Sequence, residues 1–203
     1  MTVPKRKAGG CQVKDGKWAV LYSTVTGNTE QIARRIAQAA GDADIFPMAD
    51  MPEDLSPYEV VAIGYWLRLG GPDPKTMGFL PKVHDAKVVL FQTHGTDPGS
   101  EHAVTAFARA AYLLGEGCEI LGTFGCQGKI NPAMIERRKH SDPDDPHVGE
   151  KAQRRWERAA AHPNEEDLAM VAEFVAQMKR KLSLRQKYRE KDAQRNADYT
   201  RGR

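Results

Sequence analysis

Short apolar runs alternate along this chain with stretches whose apolar residues recur every third or fourth position. Trp18–Tyr22 is apolar throughout and reads as a first strand, and Thr29–Ala40 follows with a helical pattern that stops before Gly41. Asp44–Phe46 is a short second strand, and Tyr58–Tyr65, rich in β-branched residues, is a third. Lys75–Val83 predicts a short helix, Lys87–Thr93 a fourth strand, Ser100–Leu114 a helix and Cys118–Phe124 a fifth strand. Glu165–Leu182 is the last helix of the core, capped by Asn164 and acidic in its first turn. Strands that are apolar on both faces, each followed by a helix, predict a parallel sheet covered on both sides. The expected class is therefore α/β, with five parallel strands in the doubly wound order 2-1-3-4-5. That topology puts a ligand crevice at the carboxyl ends of the strands, beside the switch between strands 1 and 3.

Three segments stand outside this alternation. Residues 1–16 form a polar N-terminal arm with no apolar stretch like that of a secretory signal. Residues 131–163 interrupt the core domain, 17–182, with a charged, proline-containing insertion. Residues 183–203 are a charged extension that either continues the last helix or leaves it. Lys179–Arg203 holds ten Lys/Arg and three Asp/Glu, a balance of +7, so of the chain's 30 bases and 27 acids the rest keep 20 and 24, a balance of −4. A basic tail on a mildly acidic body suits an acidic partner or plain solvation, and it carries no nucleic-acid fold motif.

With 203 residues, 40% apolar and 28% charged, the expectation is one soluble globular domain with a real core. No apolar run approaches the roughly 18 residues that cross a bilayer. Cys11, Cys118 and Cys126 are too few for a disulfide framework and fit a reducing cytoplasm.

The chemistry concentrates in the loop after the first strand, Ser23-Thr24-Val25-Thr26-Gly27-Asn28-Thr29. The first N–H groups of a helix lack partners within it, and the helix dipole there favours an anion. Thr24, Thr26 and Thr29 add hydroxyls, and Gly27 lets the backbone come close. No lysine follows the glycine, and there is no GxGxxG, so neither a nucleoside triphosphate nor a dinucleotide pyrophosphate is indicated. Neutral donors suit a single terminal phosphate without a metal, although the same residues also suit an ordinary N-cap.

The segment Thr24–Glu30 resembles the T/S-x-T-G-x-T phosphate loop that follows the first strand of flavodoxins. The similarity runs through most of residues 17–130 and resumes at about 163–180. It implies a flavodoxin-like fold that binds FMN. By that resemblance the loop after strand 3, with Tyr65, Trp66, Leu67, Arg68 and Gly70, walls the flavin ring. Trp66 is the first stacking candidate and Tyr65 the second. Gly70 lets the peptide re-orient toward the ring's N5 edge. Arg68, where flavodoxins often carry acids, would raise the potential of the reduced flavin. The loop after strand 4, Thr93, His94, Gly95 and Thr96, borders the other face or the pyrimidine edge, without the tyrosine many flavodoxins place there. Cys126 and Gly128, after strand 5, complete the rim, and Cys126 lacks the partners of a catalytic nucleophile.

His140, Asp142, Asp144, Asp145 and His147 in the insertion match no metal-loop spacing. The insertion reads instead as a flap or partner surface, and Arg137, Arg138, Lys139, Arg154, Arg155 and Arg158 either face water or pair with an acidic partner or a carboxylated substrate.

The leading functional expectation is an FMN-binding electron carrier that exchanges electrons with a partner redox enzyme. One alternative is an FMN-dependent reductase, or the flavin subunit of one, acting on a planar quinone or tetrapyrrole. Segments 64–73 and 126–129 resemble a group of bacterial flavodoxin-like proteins that includes partners of a bilirubin reductase. Another alternative is a flavodoxin fold that has lost FMN and serves for docking.

Overall fold

A computed structural model describes residues 16–140 and 148–201. Its parallel strands are β1 (Trp18–Tyr22), β2 (Ala43–Pro47), β3 (Val60–Arg68), β5 (Lys87–His94) and β6 (Glu119–Gln127), in the order β2-β1-β3-β5-β6. This is the doubly wound order expected from the sequence. A two-residue strand, β4 (Gly71–Pro72), adds antiparallel to the end of β3. β3 and β6 each run three residues past their expected ends, at Tyr65 and Phe124. Trp66–Arg68 and Gly125–Gln127 are therefore strand rather than loop.

Helices α1 (Asn28–Ala40) and α6 (Glu165–Arg201) cover one face of the sheet, while α2 (Pro74–Phe79) and α3 (Glu101–Leu113) cover the other. The alternation of side chains along β3 divides the core in two. Val60 and Ala62 pack with Ile32, Ile36, Val171 and Val175, whereas Val61, Ile63 and Tyr65 pack with Leu80, Leu90 and Ala106. α1 has no basic residue in its last turn, and α6 supplies one. Lys179 Nζ donates to the carbonyls of Ala39 (3.1 Å) and Ala40 (2.5 Å), capping the negative end of α1.

The insertion folds into α4 (Pro132–Lys139) and α5 (Glu150–Ala160). α5 buries Ala152, Trp156 and Ala159, a spacing of four and three that is inconspicuous among so many charges. Its end is fastened at the sheet's carboxyl edge. Arg158 pairs with Asp97 at 2.7 Å, and the Lys129 N–H donates to the His162 carbonyl at 2.9 Å. Within the insertion Lys139 pairs with Glu136 and Arg154 with Glu150. Asp142, Asp144, Asp145 and His147 lie outside the described residues, as do Cys11 and nearly all of the N-terminal arm. Among the described residues no three potential metal ligands gather, and no helix is long and apolar enough to cross a membrane.

Candidate functional site

Four loops meet at the carboxyl ends of β1, β3, β5 and β6. The first begins where Ser23 N–H donates to the Gly64 carbonyl (2.9 Å). Gly27 then takes a left-handed conformation, φ 84°, and opens α1. Among the described residues no side chain caps α1, and the first helical bond runs from Gln31 N–H to the Gly27 carbonyl. The N–H groups of Asn28, Thr29 and Glu30 therefore point past the helix end. Thr24 Oγ1 accepts from Gly27 N–H (3.0 Å) and Thr26 Oγ1 from Asn28 Nδ2 (2.9 Å), so both hydroxyls keep a hydrogen to donate. Val25, at the loop tip, is exposed. Glu30 adds a negative charge in the first turn, and Arg34 offsets it at 2.6 Å.

This loop is locked to its neighbours by hydrogen bonds. Asn28 Nδ2 donates to the Lys129 carbonyl (2.9 Å), joining the loop after β1 to the one after β6. Gly128 makes that approach possible, since a Cβ there would lie 2.7 Å from Asn28 Nδ2. The Thr29 and Thr93 hydroxyls bond at 2.8 Å and are buried, tying α1 to the end of β5.

After β5, His94 Nδ1 donates to the Thr96 carbonyl (3.2 Å), and Gln127 Nε2 donates to the same oxygen (2.9 Å). Gly95 lies against Ile130, whose Cγ1 would be 2.4 Å from a Cβ at that position. Burial lowers the His94 pKa below its ordinary value, and the Thr96 carbonyl and Asp97 only partly offset this. An unfolded histidine titrates near 6.5. Between that value and the folded pKa the unfolded chain holds a proton that the native ring refuses, so stability falls as pH drops through about 6.5. His94→Gln is expected to flatten the melting temperature between pH 7.5 and 5 relative to the parent chain, and parallel pH profiles for the two proteins would contradict this.

The third wall is a hairpin. Leu67 pairs with Pro72 and Arg68 with Gly71, leaving Leu69 (φ 49°) and Gly70 (φ 70°) as a two-residue turn with both φ positive. Arg109 Nη1 donates to the Leu69 carbonyl (3.0 Å), bracing the turn against α3. Trp66 pairs with Thr93 in the sheet and is half-buried on the α1 side. Arg68 lies on the same side of β3 and is exposed.

Some expected site residues turn away from the crevice. Tyr65 is fully buried on the α3 side with its ring edge-on to Phe107, and its hydroxyl has no partner among the described residues. Burial raises its pKa. It is core and offers no stacking face, because the strand continues through it and alternation sends it opposite to Trp66. Leu67 follows the same parity and packs on the α3-side core. Cys126 is 3% exposed in the α1-side core, and burial holds its thiol in the neutral form. Ser23 directs its hydroxyl inward to Asp73 Oδ1 (2.9 Å).

Asp73 is a structural residue that the sequence reading passed over. Its carboxylate also accepts from Lys75 N–H, Thr76 N–H and Thr76 Oγ1, so it caps α2 and anchors the first loop to the hairpin. The visible signal was an Asp-Pro pair opening a helix.

The family model described as a flavodoxin domain matches residues 19–197. The chain belongs to this family. Among curated relatives of this flavodoxin-domain protein, it is 29% identical over 175 residues to the flavodoxin-like domain-containing protein BilS of Clostridioides difficile (strain CD3), covering 83% of this chain and 99% of that one. The BilS protein of Clostridium symbiosum (strain WAL-14163) is 22% identical over 178 residues, covering 78% and 94%. Among solved structures, the Streptococcus pneumonia TIGR4 flavodoxin aligns with a TM-score of 0.54 at 15% identity, covering 81% of this chain and 99% of that one. Oxidised Flavodoxin 2 from Bacillus cereus aligns with a TM-score of 0.52 at 18% identity, with the same coverages. These structural likenesses establish the flavodoxin fold.

Proposed function

We propose that this crevice holds FMN and that the protein carries electrons to or from a partner redox enzyme. The observation that carries this reading is the uncapped start of α1 beneath two threonine hydroxyls, a donor set of neutral hydrogens fitted to one phosphate. Asn28, Thr29 and Glu30 N–H, with Thr24 and Thr26, would hold the phosphate. Trp66 would flank the ring, and the backbone of residues 94–96 would line its polar edge. FMN supplies the redox chemistry, and the chain sets its exposure and potential. Arg68, exposed beside Trp66, favours negative charge on the ring. The BilS relatives, matched over nearly their whole length, support a flavodoxin-type role. The cytoplasm is the proposed setting, consistent with Cys118 and Cys126 as free thiols.

The test is to purify the protein and record its visible spectrum and melting temperature with and without added FMN. A yellow protein whose melting temperature rises with FMN concentration is expected. A colourless preparation that stays so in excess FMN, with an unmoved melting temperature, would overturn the reading.

A further inference from the structure

The last helix is far longer than the body requires. At 1.5 Å per residue its 37 residues span roughly 55 Å, of which about half lies beyond Leu182. Val171, Val175, Met178 and Leu182 bury its core stripe. Lys181 Nζ donating to the Leu121 carbonyl and an Arg185–Glu119 ion pair tie it to the sheet. From Gln186 to Asn196 every residue is exposed.

The exposed segment is not uniform around its axis. At 100° per residue, Arg180, Leu184, Lys187, Tyr188, Lys191 and Arg195 fall within an arc of about 100°, on the side roughly opposite the core stripe. Leu184 is 45% and Tyr188 68% exposed. Among the described residues no carboxylate lies within ion-pair distance of Lys187 or Lys191, although Arg195 pairs with Asp192. An apolar and aromatic centre rimmed by bases, of which Lys187 and Lys191 have no carboxylate at hand, has the anatomy of a protein-binding face. Its charge selects an acidic partner and disfavours a second copy meeting it face to face.

We propose that this face of α6 is a docking arm for an acidic electron-transfer protein. The identity of the partner rests on the electron-carrier reading above. The arm leaves from the end of the sheet opposite the crevice, because Arg185 meets the start of β6 whereas His162, just before α6, meets the loop after β6. It therefore recruits and retains the partner without lying on the electron path. Weakening it lowers affinity and the second-order transfer rate, and leaves the limiting rate at saturating partner unchanged.

The test uses the full chain and an oxidised clostridial-type ferredoxin, a small acidic iron–sulfur protein, in calorimetric titrations at low salt. That readout needs no flavin, so a failure of FMN binding and a failure of docking are separately visible. Lys187→Glu and Tyr188→Ala are each expected to weaken binding at least about fivefold. Arg189→Glu, the same charge change about 160° around the helix, is expected to weaken it less than about twofold. Circular dichroism should show the same helix content in all three. In the FMN-loaded protein, stopped-flow reduction should show the second-order rate falling for Lys187→Glu with the limiting rate unmoved. Absence of ferredoxin binding, equal losses for Lys187→Glu and Arg189→Glu, a full-chain dimer that Tyr188→Ala dissociates, or tighter binding to a single-stranded RNA oligomer than to ferredoxin would each overturn the proposal.

Discussion

Replacing Gly64 with alanine is expected to lower the melting temperature by roughly 6–12 °C, the equivalent of about 3 kcal/mol for a domain of this size. Gly64 sits in the middle of β3, between β1 and β5, and the Phe91 ring lies directly over it. A Cβ there would fall 2.1 Å from both Cε2 and Cζ of Phe91, inside any permissible contact. Phe91 is fully buried, so its ring has nowhere to retreat. Gly122→Ala is the informative contrast. Its Cβ would meet Met178 Sδ at 2.8 Å, but that is the end of a flexible side chain that can re-route. Gly122→Ala should therefore shift the melt by only a few degrees. Adding Phe91→Leu to Gly64→Ala should recover part of the loss, because the two positions share one contact. A Gly64→Ala protein melting within about 2 °C of the parent would show that the strand relaxes more readily than this packing allows.

The same local detail explains what could and could not be read from the sequence. The central strands β1, β3 and β5 were legible because a parallel sheet buried on both faces writes itself as unbroken apolar runs, whereas the edge strands β2 and β6 are only partly buried. Trp18–Tyr22 was found to the residue. What failed was the end of β3. Trp66-Leu67-Arg68-Leu69-Gly70-Gly71-Pro72 reads as a glycine- and proline-rich loop, and nothing in one sequence announces that Leu69 will take a left-handed conformation to close a hairpin. Because β3 continues through Tyr65 and Trp66, strict alternation separates two aromatic residues that a flexible loop would have presented together. The arm of α6 was ambiguous for another reason. Its Lys, Arg, Gln, Glu and Ala residues favour helix without forming a core stripe, and extending a helix already nucleated on the body needs propensity alone. The insertion's helix α5 was obscured because only Ala152, Trp156 and Ala159 turn inward.

Riboflavin is expected to bind this protein on the order of a thousandfold more weakly than FMN. The two ligands share the ring and differ by the phosphate, so their ratio reports the phosphate site at residues 24–30 alone. A hydrogen bond to a charged group contributes about 1.5–3 kcal/mol, so two or three such bonds from Asn28, Thr29 and Glu30 N–H suffice for roughly 4 kcal/mol. The opposing effect is the Glu30 carboxylate in the same turn, whose repulsion is reduced by its pairing with Arg34. No ammonium group is needed in that balance, and EDTA should leave both affinities unchanged. Gly27→Val supplies the internal control. A β-branched residue held at φ 84° is strained by about 1–2 kcal/mol, which the chain relieves by turning the loop away from its anion-binding geometry. FMN affinity should then fall about tenfold while riboflavin affinity barely moves, narrowing the ratio. Fluorescence titration of each flavin into the flavin-free chain and its Gly27→Val variant measures all four constants. Equal affinity for the two flavins in the parent chain would place the phosphate away from α1, and the neutral-donor loop would then be an N-terminal turn with no ligand of its own.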